Sequence, residues 1–515
     1  MRVFSRIALT LVAVSLVAVP SLIASHFQAD CPLQLIATTA PQATAQFYQS
    51  PHGAFRFGNQ VFVLRGQALT TYSVNDLGDI SNTPPRQDFL GSLGGREAQG
   101  GVTFANGILY ISSDAGLEIF DLRATRPGGS PPALLSRTPN LHYRRLAISN
   151  NILAGVFPAT DYPCFIGGPT PNCTNSIDLF DVSNPQAPVM VGTILSQFSP
   201  IGGFNDVAFN FGFLTTTGQN GTGVYNIFNP SVPAFLVGVQ TPGTFLVSNG
   251  ANLLAVGNDT SILTYAVSPV SGALSPMFLH TLATLRLEHS NPIMFHRQAT
   301  FDEATSRLIT LVDEMDPQTL QPARTFAFDV FDYSVPMFEG ADPRQYEQVS
   351  YTTTDEVKYN PVAVGPFVYV VGELSGIQEY GVCGQMEGRI ETNSLASLPC
   401  PLTVGAPTNA EFHGWVTGMN RIANVELFLD GSSLGTVSPS DVVRTDIPSS
   451  TPVQNWRVTV TLPSNLGGTQ NPGREHLITA VGTDVNGNRR QFASQRFFFT
   501  PNWQATCVVR RRAVQ

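Results

Sequence analysis

Lysine is almost missing from this 515-residue chain: Lys358 is the only one, so nearly all of the 28 positive charges are arginine. Charged residues of all kinds make up only 13% of the sequence, and the formal net charge is −9. That balance provides no basic footprint for nucleic acid. Long apolar runs are scarce too. The one marked run, Ile7 to Val19, is short for a membrane span, which needs about 20 residues. Arg2 and Arg6 precede it, Pro20 breaks it, and the small residues Ala24 and Ser25 follow, which is the pattern of an export signal over residues 1–25. The alternative is an uncleaved N-terminal anchor. No membrane span is expected once the signal is removed.

Helical periodicity is lacking after this segment, and so is any H-E-x-x-H, P-loop or dinucleotide fingerprint. Gly431 to Gly435 (GSSLG) formally fits G-x-S-x-G, but that elbow needs a strand-to-helix turn and here it lies between two strand-like runs. Cysteines number six, with no C-x-x-C pair and no cysteine at ligand spacing from a histidine. Disulfides in an oxidising compartment are therefore expected. Cys164 with Cys173 would close a Pro/Gly-rich loop, Cys383 with Cys400 would staple the end of the repeat region, and Cys31 and Cys507 remain by elimination.

What is abundant is turn chemistry, with 45 glycines and 38 prolines, set between short alternating apolar runs. Seven of those runs end in an aromatic: Tyr72, Phe120, Phe180, Tyr225, Tyr265, Phe331 and Tyr380, spaced 40 to 66 residues apart. Around each beat four strand-like pieces can be read, for example LAISNN, ILAGVF, SIDLFDV and PVMVGTIL. Four antiparallel strands per period describe a propeller blade. The fold class expected is all-β: a seven-bladed β-propeller over 50–398, after a segment 26–49, followed by an Ig-like β-sandwich over 399–503 and a tail 504–515. The beat aromatics are assigned to packing between blades.

The run SIDLFDVSNPQAPVMVGTI resembles the LVIVD-repeat family of secreted bacterial propellers, with Asp181, Val182, Asn184, Pro185, Pro188 and Gly192 in the matching places. The next unit keeps Asn229, Pro230, Pro233 and Gly238, with Asn226 in place of the aspartate. The resemblance implies a propeller outside the cytoplasm and says little about chemistry. VELFLDG and HLITAVGTDVNGN, with Ala480, Asp484, Gly487 and Asn488, resemble bacterial Ig-like modules of secreted proteins, which usually act as spacers or binding units.

Functional residues concentrate on loops held by a rigid scaffold. In a propeller the turns joining strands two and three open on the same face as the connections between blades. Two such turns are long here, 158–175 and 313–324. Between-blade connections on that face bring His142, Tyr143, Arg144 and Arg145, then Arg286, Glu288 and His289, then Asp355 and Glu356. These form the expected binding surface for an extracellular or cell-surface protein or glycan, on a non-enzymatic scaffold without a required cofactor. The densest acidic cluster is Asp313, Glu314 and Asp316, whose oxygens suit a hard cation such as calcium, against the alternative of a solvated loop. The rival function is a lactonase-like propeller hydrolase with a divalent metal at the channel mouth, held by Asp313, Glu314 and His289, with His296 nearby. Asp302 to Thr305 (DEAT) reads as a local acidic turn.

Overall fold

A computed structural model describes residues 34–38 and most of 51–498; apart from short breaks at turns, it leaves out 91–100, 158–174, 282–292, 334–346, 392–407, 444–452 and 464–474. The export signal, all six cysteines and the tail 504–515 lie outside the described residues. No helix among the described residues is long and apolar enough to cross a membrane. The described residues are all-β, folded into nine four-stranded sheets that are antiparallel throughout, with one short 3-10 turn among them at Ser196–Phe198.

Six sheets follow one another in simple up-and-down order: sheet one within 51–89, two within 102–138, three within 145–195, four within 204–239, five within 245–281 and six within 293–351. Sheet seven takes Lys358–Val364, Phe367–Gly372 and Gly376–Gly381 from the end of the run. Its fourth strand is Gln34–Thr38, which pairs antiparallel with Gly376–Gly381. This differs from the expectation that placed 26–49 outside the repeat. The first strands of the seven sheets touch in sequence, and that of sheet seven touches that of sheet one, so the contacts form a closed cycle.

The beat aromatics show why the cycle holds. Each lies on a third strand and is at most 6% exposed. Each also packs into a cluster with the preceding sheet: Phe120 with Phe62, Leu64 and Leu69 of sheet one, Phe180 with Ile108 and Ile119 of sheet two, Tyr72 with Tyr369 and Ile377 of sheet seven. In sheets two to five the register between third and fourth strands shifts immediately before the aromatic. A bulge there increases the local twist of the outer strand. Burying one such ring contributes roughly 2–3 kcal/mol, so the beat gives every sheet a recurring anchor on the one before it.

The remaining two sheets face each other around one core that includes Phe412, Val425, Leu427, Trp456, Ile478 and Phe492. This two-sheet module begins at Met386–Ile390, which pairs with Thr408–Gly418, so the repeat ends before residue 386 rather than at 398. Asp430 and Gly431 (φ 49° and 84°) make the two-residue hairpin between Ile422–Leu429 and Ser432–Val437, so the GSSLG run sits in a strand-to-strand turn.

The module rests on one end of the ring. Gln491 donates from Nε2 to the Ala304 carbonyl (2.8 Å) and accepts from Ser306 Oγ (3.0 Å), and Arg490 pairs with Asp332 at 3.2 Å. Leu477 enters an apolar cluster with Phe211, Phe213 and Ala251. Gly250 (φ 78°) lies under the Arg496 guanidinium, where a Cβ would come within 2.4 Å of it. Ser494 lines a cavity of about 370 Å3 with Ala54–Arg56, Thr300–Asp302 and Pro361–Ala363 of the first strands of sheets one, six and seven. All these ring residues lie at or near the end that carries the first-to-second and third-to-fourth strand turns. We call it the turn face. The opposite end, which carries the second-to-third turns and the links between sheets, is the loop face.

Candidate functional site

The loop face is built where the first strands begin. At sheet three the sequence LHYRRLAIS enters its first strand at Arg145, and Arg144 lies in the bend just before it, outside the strand's alternation. Tyr143 is fully buried and its hydroxyl donates to Asp178 Oδ2 (3.1 Å). Burial, then the Asp178 charge, pushes that phenol far up from its ordinary range. Asp178 also accepts from Thr193 (3.1 Å), so it is a satisfied structural carboxylate. His142 Nδ1 donates to the Ser113 carbonyl at 2.9 Å, which ties the link to sheet two. Gly101 donates to the Tyr143 carbonyl (2.7 Å), and a Cβ on it would meet the Leu146 amide nitrogen at 2.4 Å. Glycine is required there because two backbones approach closely.

Arg144 and Arg145 stand side by side at this corner. Arg145 Nε lies 3.7 Å from Asp206 Oδ2 on the first strand of sheet four. Asp206 is buried and accepts the Val207 and Leu246 amides at 2.8 and 2.9 Å. Burial raises its carboxyl above the usual range, against the pull of Arg145. Burial and the charge of Arg145 hold the Arg144 guanidinium down to about 10. Asp206 was not singled out in the sequence. Its signal was an aspartate inside an otherwise apolar strand, FNDVAF, where burial demands partners.

Across the ring, sheets six and seven share a buried polar chain. Thr325 Oγ1 donates to Asp313 Oδ1 (2.6 Å) and accepts from the Lys358 amide (2.7 Å). Lys358 Nζ donates to Glu356 Oε1 at 3.1 Å, which also accepts from Gln378 (3.4 Å). Tyr380, one of the beat aromatics, donates to Gln378 (3.0 Å). Desolvation lowers the Lys358 ammonium, with Glu356 opposing it.

The acidic trio does not converge. Asp313 is fully buried in this chain, whereas Glu314 is half-buried and bonded to Arg324 at 2.7 Å. Asp316 accepts the Gln318 and Thr319 amides at 2.7 and 3.1 Å in its own turn. Consecutive strand residues face opposite sides of a sheet, which separates the first two. Among the described residues no group of three His, Cys, Asp or Glu side chains could hold a metal ion. Arg286, Glu288 and His289, the loop 158–174 and Asp355 lie outside the described residues. The DEAT turn is local: Asp302 accepts from the Thr305 hydroxyl, the Ala304 amide and the buried Arg307.

No protein-family model matches this sequence, and no curated protein matches it. Similar solved structures are β-propeller proteins. Hsv2 of Kluyveromyces marxianus is 8% identical, with a TM-score of 0.39 over 65% of this chain and 94% of that one. BamB of Moraxella catarrhalis is 9% identical, with a TM-score of 0.38 over 68% of this chain and 98% of that one. Likenesses of this degree leave the ligand of the present chain open.

Proposed function

We propose that the seven sheets are the blades of a seven-bladed β-propeller, that the two-sheet module is Ig-like, and that the protein is an exported, non-enzymatic scaffold. Its loop face recognises an extracellular or cell-surface macromolecule, protein or glycan. The observation that carries this reading is the position of the module. It occupies the turn face through Leu477, Arg490, Gln491 and Arg496. The face that bears His142, Arg144 and Arg145 is left without such a cover by any described residue. The module therefore supports the ring from behind while the loop face stays available. The cyclic contacts of the first strands and the Asp-Val, Asn-Pro turn of sheet three support the blade assignment.

Capture with the mature protein from culture supernatant or on a glycan array tests the function. A retained partner should be lost when residues 158–175 are replaced by a short Gly/Ser linker, and should survive charge changes on the module. No retained partner, or one indifferent to every loop-face change, would overturn the reading.

A further inference from the structure

The corner where sheets two, three and four meet on the loop face holds an imbalance of charge. Arg144 and Arg145 are adjacent, and Asp206 is the carboxylate that faces them. Its oxygens are already engaged by two backbone amides. Arg145 reaches it at 3.7 Å, while the Arg144 guanidinium makes no hydrogen bond and no ion pair with any described residue. A guanidinium is a rigid fork of five donors that matches a carboxylate, sulfate or phosphate edge with two parallel bonds. Leaving such a group partly desolvated without an acceptor is costly. The depressed Arg144 guanidinium agrees with that cost, since burial and the Arg145 charge disfavour its protonated form and outweigh the attraction of Asp206.

We propose that Arg144, with Arg145 beside it, forms an oxyanion-binding subsite at the inner edge of the loop face. The anion is a carboxylate, sulfate or phosphate group, either free in solution or carried by the macromolecule that this face recognises; the second source rests on the function proposed above. Asp206 is a positioning residue: it pairs with Arg145 at 3.7 Å and attracts Arg144 without bonding it, so the Arg144 donors stay available to the ligand. Gly101 keeps the corner open by letting the backbones meet without a side chain between them.

The test uses the full mature chain and three anions, namely sulfate, phosphate and acetate, titrated at fixed ionic strength against chloride with the melting temperature as readout. A sulfated oligosaccharide is the fourth arm. Wild type should show a saturable rise at low-millimolar anion, distinct from the linear stabilisation that sulfate gives any protein. Arg144→Gln should weaken the saturable part about tenfold or more, the value of one charge-assisted hydrogen bond. In chloride alone the same variant should melt at or above wild type, because an uncompensated guanidinium has been removed; a merely structural arginine would lower it. A response to the simple ions assigns the subsite to free anions, and a response to the oligosaccharide alone assigns it to a macromolecule-borne group. If Arg144→Gln folds poorly, slowing of phenylglyoxal modification at Arg144 by the anion, read by mass spectrometry on wild type, replaces it. An equal saturable response in the variant, or none in wild type to any arm, overturns the proposal. Because no partner is needed, anion binding without partner capture would sink the recognition reading and leave this one standing.

Discussion

At the residue scale, several charges in this protein are buried against a partner. Lys358 is the only lysine and is fully buried beside Glu356. Amine-reactive labelling of the folded protein should therefore leave Lys358 unmodified, and labelling after denaturation should modify it. Modification at native-like rates, read by peptide mapping, would contradict the ion pair. Glu387 is the opposite case. It lines a cavity of about 240 Å3 between the ring and the module, with Arg56, Asp302, Arg389 and Trp415, and burial pushes its carboxyl up to about 7, against the pull of Arg307. The folded state then binds the proton more tightly than the unfolded chain does. Its contribution is complete below the ordinary value of 4.5 and is lost as pH rises through about 7, at most ~3 kcal/mol across that window. Glu387→Gln should flatten this part of the stability profile between pH 4.5 and 7. A profile unchanged by the substitution would show that the carboxyl is not held in this way. The place of His142, Arg144 and Arg145 on the link into sheet three was legible because turn chemistry fixes which end of a strand a residue occupies. The acidic trio was misleading for an elementary reason: neighbours in sequence are on opposite faces in a strand, so density along the chain is not proximity in space.

At the scale of elements, the aromatic beat was readable because one residue type does one job in every sheet. Phe120→Ala would remove the ring that joins sheet two to Phe62, Leu64 and Leu69 of sheet one. A loss of about 3–5 kcal/mol is expected by chemical denaturation, against well under half that for Phe89→Ala on an exposed outer strand. Comparable losses at both sites would remove the beat from its role in packing. The strand Gln34–Thr38 was not legible. Its five residues QLIAT say that a strand is present but not which edge it completes, since that edge, Gly376–Gly381, is formed far along the chain. Pairing partners at such separation are set by what remains unpaired elsewhere, and local patterning does not contain that information.

At the scale of the whole molecule, the ring and the module are joined by a contact that mixes an apolar plug, Leu477, with the Gln491 and Arg490 bonds. The double variant Arg490→Ala, Gln491→Ala should weaken docking by roughly 1–3 kcal/mol and split a single calorimetric transition into two. One unchanged transition would mean that the plug alone holds the two parts together. This docking was invisible in the sequence, because surface complementarity depends on which faces the folded parts present. The orientation matters for any ligand: it assigns the back and the front of the disc, and that assignment, more than any motif, directs attention to the loop face.

The strand borrowed by sheet seven also has a consequence in time. Residues 34–38 are made early, yet the edge they must join is completed only when residue 381 has been added. Until then the growing sheets have no closed ring, and residues 34–38 have no partner. Closure therefore waits for residue 381, ahead of the two-sheet module that begins at Met386, and must bring together segments far apart in the chain. A protein built this way is an open strip for most of its synthesis and becomes a disc in one late event.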